Sequence, residues 1–185
     1  MSLFSLTSLI PSIPKFWTWQ KVCGLMLSLV VFLGGVLWIG GSPAIAGLKD
    51  DRYDGEIFTL YAGNGSLIPP KVTLEQGLER QRPVLLVLYV DDSKDCKQYT
   101  SVISQLQAFY GRAADFIPVR VDAFPQKASY SKTEPGYYYQ GFVPQTVLFD
   151  QTGKVVLNQP GNLTFEQIDD VFRQVFDLLP RAESI

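Results

Sequence analysis

Hydrophobic and polar positions divide the chain into two unlike parts. From Val22 to Ile39 the sequence reads VCGLMLSLVVFLGGVLWI, 18 residues without a charge, and the uncharged stretch continues to Leu48. That length is enough to span the hydrocarbon core of a bilayer. No polar stripe marks an outward face, which argues against a buried core helix. Lys15 and Lys21 precede the run, whereas Lys49, Asp50, Asp51 and Arg52 on the far side sum to zero. The positive flank places the N-terminus in the cytoplasm and the rest of the chain across the membrane. Trp17, Trp19 and Trp38 suit the interfacial belts. Ala44-Ile45-Ala46 before Gly47 also has the form of a signal-peptidase site, so retained anchor and cleaved signal both stand. The run is longer than a usual signal core, which favours retention.

Beyond Gly47 the pattern shortens. Residues 47–55 are charged and Gly-punctuated and read as a linker. Ile57–Ala62 reads as a short strand closed by Gly63-Asn64-Gly65, and Pro69-Pro70 stops any continuation. Thr73 with Gln76 has capping-box spacing and opens a short helix to about Gln81. Pro83–Val90 (PVLLVLYV) is a continuous apolar run, the signature of a strand buried on both faces. Asp91-Asp92-Ser93 breaks it and can cap a helix. Val102, Ile103, Leu106, Phe109 and Tyr110 then recur at helical spacing until Gly111. Phe116–Asp122 alternates as a strand, with Pro118 placing it near an edge. Residues 123–142 form a long loop. Thr146–Asp150 and Lys154–Asn158 flank a Gln-Thr-Gly turn and read as a hairpin. Thr164 with Gln167 caps a last helix striped by Ile168, Val171, Phe172, Val175, Phe176 and Leu179. The order β, α, β, α, β, loop, β, β, α predicts an α/β fold with a mixed central sheet between helical layers. The organisation expected is a cytoplasmic segment over 1–21, an anchor or signal over 22–46, a linker over 47–55 and one domain over 56–185.

Composition narrows the chemistry. The 185 residues include two Cys and no His, which excludes a His-based triad and a His-ligated metal site. Cys23 belongs to the apolar run, so Cys96 is the one thiol beyond it. Without a CxxC there is no dithiol site. Of 16 Lys and Arg, 14 follow Gly47 against 18 Asp and Glu. A mildly acidic domain without a basic stripe argues against nucleic acid as a partner. The carboxylates show no paired acid/base arrangement. Gly63-x-Gly65 is a turn rather than a phosphate loop, because Pro69-Pro70 follows where a helix must start.

Placed in order, several segments resemble the thioredoxin fold: Arg82–Val90, then DDSKDCK over Asp91–Lys97, then the helix ending in Phe109-Tyr110-Gly111, then Phe116–Asp122, then GFVPQTVLFD over Gly141–Asp150 with Gly153-Lys154. The likeness covers about residues 57–180 and implies a three-layer thioredoxin-like fold. An uncharged N-terminal span followed by LYAGNGSLIPPKVTLEQGL and such a domain resembles, more narrowly, a cyanobacterial thylakoid family named as a membrane factor for photosystem I accumulation.

The resemblance also exposes a departure. Thioredoxins carry C-x-x-C before a Lys; here the stretch is Ser93-Lys94-Asp95-Cys96-Lys97. Ser93 stands where the exposed nucleophile belongs, and Cys96 where the resolving thiol belongs. Exchange needs a thiolate, which the helix N-terminus stabilises at the first position. A Ser hydroxyl without a base does not replace it. Cys96 is expected to be a small buried residue, or else a lone thiol that forms mixed disulfides or senses oxidation. Ser93 is expected as a helix cap or as a polar contact to a partner.

By the same resemblance Val143-Pro144 matches the cis-proline segment, whose backbone pairs with a substrate peptide, and it can hold a partner by strand addition without redox chemistry. Tyr137, Tyr138 and Tyr139 cannot all face the core and offer an aromatic patch beside that groove. The expectation is therefore a membrane-associated, lumen-facing, client-binding protein without enzymatic chemistry, cofactor or metal. The resemblance implies a photosystem I subunit or assembly intermediate as the client. The alternatives are a monothiol redox protein using Cys96, a structural subunit of a membrane complex, and export to the periplasmic side or release near Ala46.

Overall fold

The computed structural model describes residues 21, 23, 24, 26–28 and 47–181. The chain divides into two units, Met1–Ala44 and Ile45–Ile185, and the second holds the sheet. The apolar run over 22–39 lies largely outside the described residues. Among those that are described, no helix is long and apolar enough to cross a membrane.

The centre of the fold is β1, Val84–Tyr89, every residue of which is buried. It is covered on both faces, as its unbroken apolar sequence requires. Leu85, Val87 and Tyr89 point into one hydrophobic cluster; Val84, Leu86 and Leu88 point into another on the opposite face. Four strands are present among the described residues, in the order β2-β1-β3-β4. β2 (Asp115–Arg120) runs parallel to β1, and β3 (Gln145–Phe149) and β4 (Val155–Pro160) add antiparallel neighbours. The sheet is mixed, as expected.

Pro118 sits on β2 at the edge of that sheet. The Asp115 amide donates to Pro83 O at 2.9 Å, so alternation turns the amides of Asp115, Ile117 and Val119 toward β1. Position 118 therefore faces outward, where its missing N–H costs no ladder bond.

The helices follow their caps. α2 (Leu74–Glu79) and α4 (Phe165–Val175) start in full capping boxes, Thr73 with Gln76 and Thr164 with Gln167. α3 (Lys94–Tyr110) carries the parallel crossover from β1 to β2. It buries Cys96, Tyr99, Ile103, Leu106 and Tyr110, and Tyr110 stacks on Phe172 of α4 with ring centroids 4.4 Å apart. Phe109, expected on the buried stripe, is 73% exposed, with its ring 5.5 Å from that of Phe165. Leu179 falls beyond the end of α4 and is exposed.

The first expected strand is a helix. Ile57–Ala62 forms α1, with the Glu56 carboxylate accepting from Phe58 N and Thr59 N and with Gly63 closing it at φ +61°. Ile57 and Phe58 are buried against α3, and Tyr61 packs on the same cluster. Six residues without clear alternation carry no decisive period, and an acidic cap fixed the outcome.

Candidate functional site

The loop after β1 and the start of α3 hold the Ser93–Cys96 sequence. Ser93 is the N-cap of α3, its Oγ accepting from the Cys96 amide at 3.4 Å. The Lys94 amide, the next donor at this helix end, reaches Asp51 Oδ1 at 2.9 Å. Cys96 is 1% exposed. Burial pushes its thiol up, and the Asp95 and Asp92 charges push the same way; the Val90 main chain and the Ser93 hydroxyl oppose them without prevailing. At neutral pH this sulfur is a thiol, the form that does not attack a disulfide.

Asp91, between β1 and the cap, is 4% exposed. Its Oδ1 accepts from the Ile57 amide at 3.4 Å, and its Oδ2 lies 3.1 Å from Arg120 Nη1. Burial raises its pKa against the pull of Arg120. The carboxylate thus joins α1 to the C-terminal end of β1.

Val143 and Pro144 follow Gly141, which takes φ +87°, and their peptide bond is cis. Val143 packs on the cluster that contains Cys96, so the structure brings these two predicted positions to one face of the sheet. Pro144 O accepts from Gly161 N at 2.7 Å, whereas the main chain of Phe142 and Val143 has no partner among the described residues. Phe142 is 70% exposed. Sequence reasoning passed over this ring; its signal was a large apolar residue between a glycine and the cis-proline segment.

The three tyrosines separate. Tyr138 packs edge-on against Phe149 at 5.0 Å and gives its hydroxyl to Lys132 O; Tyr139 meets Phe124 at 6.0 Å. Both belong to the cluster on the sheet face opposite Cys96. Tyr137 alone is largely exposed, at 49%. Buried Gln145 ties this loop to the cis-proline segment. Its Nε2 donates to Tyr138 O and to Asn158 Oδ1, each at 2.6 Å, and its Oε1 accepts from Gln140 N at 2.9 Å.

Lys97, next to Cys96, has no exposed side chain. Its ammonium shares its three protons among Gly47 O, Asp50 O, Asp50 Oδ1, Arg52 O and Asp54 Oδ2, at 2.6 to 3.2 Å. Burial opposes its charge, but Asp54 and Asp50 outweigh burial and hold the pKa above the ordinary value. Among the described residues no cluster of Cys, Asp and Glu is arranged to hold a metal ion.

The thioredoxin-like domain family matches residues 70–176. The chain is 58% identical over 142 residues to thylakoid membrane protein slr1796 of Synechocystis sp., covering 77% of this chain and 71% of that protein. Among solved structures it is similar to a malarial protein, with 11% identity, a TM-score of 0.42 and coverage of 50% of this chain and 96% of that one. It is also similar to the germline-specific thioredoxin Deadhead of Drosophila melanogaster, with 16% identity, a TM-score of 0.42 and coverage of 54% and 85%. The family model spans more than half of the chain, including the sheet and the long helix α3 that Ser93 caps: the chain belongs to the thioredoxin-like domain family.

Proposed function

We propose that this protein is a thioredoxin-like binding factor of the thylakoid membrane that performs no disulfide exchange. The carrying observation is Cys96, whose thiol is buried and held protonated, beside a serine at the position of the attacking sulfur. The free main chain of Phe142 and Val143 offers donors and acceptors to an extended client segment, which joins by strand addition. Phe142 and Tyr137 supply exposed rings for its side chains, and Tyr138 and Tyr139 support the loop from below. The thylakoid location of the Synechocystis relative supports the same membrane for this chain. The cationic flank before Val22 supports a lumenal domain. The family resemblance supports a photosystem I subunit or assembly intermediate as client, and photosystem I accumulation as the process served.

The test is a crosslinking pull-down from membranes holding the full chain. Client recovery is expected to fall with Phe142→Ala and Tyr137→Ala and to persist with Cys96→Ala. Loss of the client with Cys96→Ala alone supports a monothiol redox protein instead. Reduction of insulin by the wild type at a rate near that of a dithiol thioredoxin overturns the proposal.

A further inference from the structure

Residues 47–54 do not hang between the apolar run and the domain. They lie across the N-terminal end of α3 and are fixed there from two sides. Asp51 accepts from the first amide of the helix, Lys94 N, at 2.9 Å. One turn on, the Lys97 ammonium gathers Gly47, Asp50, Arg52 and Asp54 around itself. The Tyr61 ring stands 5.5 Å from that ammonium, and its hydroxyl donates to Asp54, so α1 backs the segment. The outer surface of the segment faces water: the Arg52 side chain is 62% exposed, and that of Asp50 is about half exposed even with one oxygen on Lys97. What this segment covers is the Lys97 side chain and the first amide of α3, next to a half-buried Ser93.

We propose that residues 47–54 are a strap over the first turn of α3, with Lys97 as its holding group, and that a client seats fully on that turn, beside Ser93, only after the strap lifts. This rests on the client-binding reading above and names its regulation. The closure is polar. Its contacts are main-chain carbonyls and carboxylates converging on one ammonium, and few apolar groups bind it, so it can leave without opening the hydrophobic clusters. Removing it strands a buried cation, which keeps the strap down until something else satisfies Lys97. A client that presents carboxylates or free carbonyls to this end supplies that replacement; an apolar one does not.

The experiment uses the full chain in detergent with a single thiol at the covered end: Cys23→Ser, Cys96→Ala and Ser93→Cys together. N-ethylmaleimide and a polyethylene-glycol maleimide are compared, because the ratio of their rates reports steric access and cancels changes in thiol acidity. Hydrogen exchange over residues 47–54 and over β1 is followed in parallel. With Lys97→Met added, exchange over 47–54 is expected to rise while β1 stays protected, and the bulky reagent is expected to gain at least fivefold on the small one. Faster exchange with an unchanged ratio overturns the strap as a gate. Unchanged exchange overturns Lys97 as its holder. If Lys97→Met also opens β1, Asp51→Ala takes its place: a fivefold gain supports the strap and an unchanged ratio overturns it. No client enters this assay, so failure here leaves the client reading intact, and failure of the pull-down leaves the strap intact.

Discussion

The Lys97 ammonium lies 2.7 Å from Asp54 Oδ2, and the lysine side chain has no surface of its own. A hydrogen bond from Lys97 is the main reason that the Asp54 carboxyl lies far below the usual carboxylate range, with Tyr61 adding a second. A depressed acid contributes stability above its unfolded pKa, near 3.9, and loses it as pH falls through the folded value. The pair therefore persists from neutrality through mild acid. Asp54→Asn is expected to lower the urea midpoint by the same amount at pH 7 and pH 5, with the difference shrinking only in strong acid.

Asp91 has the opposite sign. Burial raises its pKa, so its charge is disfavoured in the fold and its contribution declines as pH rises through the unfolded value toward the folded one. Replacing it with asparagine keeps an acceptor for the Ile57 amide. Asp91→Asn is expected to flatten the pH dependence of the urea midpoint in the window that opens at the unfolded value, near 3.9, and extends upward from it. A slope equal to that of the wild type in that window contradicts this.

Gln145 satisfies three polar partners from one buried side chain. Gln145→Ala leaves Tyr138 O, Gln140 N and Asn158 Oδ1 without it, and an orphaned buried group costs about 1–3 kcal/mol. Hydrogen exchange is expected to accelerate over residues 138–142 more than over β1.

Tyr137→Ala touches an exposed ring whose close partner is Tyr138. Stability is expected to change by no more than about 0.5 kcal/mol, as for most surface substitutions. A larger drop in the thermal midpoint makes any loss of client binding uninterpretable as a contact effect.

Cys96 is expected to react with Ellman's reagent only as fast as the native chain opens. Labelling that follows the urea unfolding curve agrees with a buried thiol; stoichiometric labelling in buffer within the mixing time contradicts it. The measurement uses Cys23→Ser, because Cys23 is exposed.

Elements with strong local signals were legible in the sequence. The apolar run of β1, both capping boxes and the edge placement of Pro118 follow from single-residue chemistry and short spacings. So did the burial of Cys96 and the capping role of Ser93. Ile57–Ala62 was not, because its cap is a glutamate and its apolar residues fit two periods. The strap was hidden for another reason. Nothing in Lys97 itself shows that its ammonium turns inward toward residues more than 40 positions earlier, since a lysine on a helix ordinarily points to water. The tyrosine loop misled through an assumption of nearness: Tyr138 and Tyr139 join the sheet face away from Cys96, and the Gln145 side chain ties the loop to the cis-proline segment.

Pro118 has a consequence for how copies of this protein meet. Chains held side by side at high local density risk zipping together along open strands, as identical edges do in fibres. On the β2 side such a zipper lacks a tooth at its middle, where the proline ring stands instead of a donor. Any ordered growth of the sheet into a neighbour must therefore begin at β4, which makes this domain one-sided as a building block.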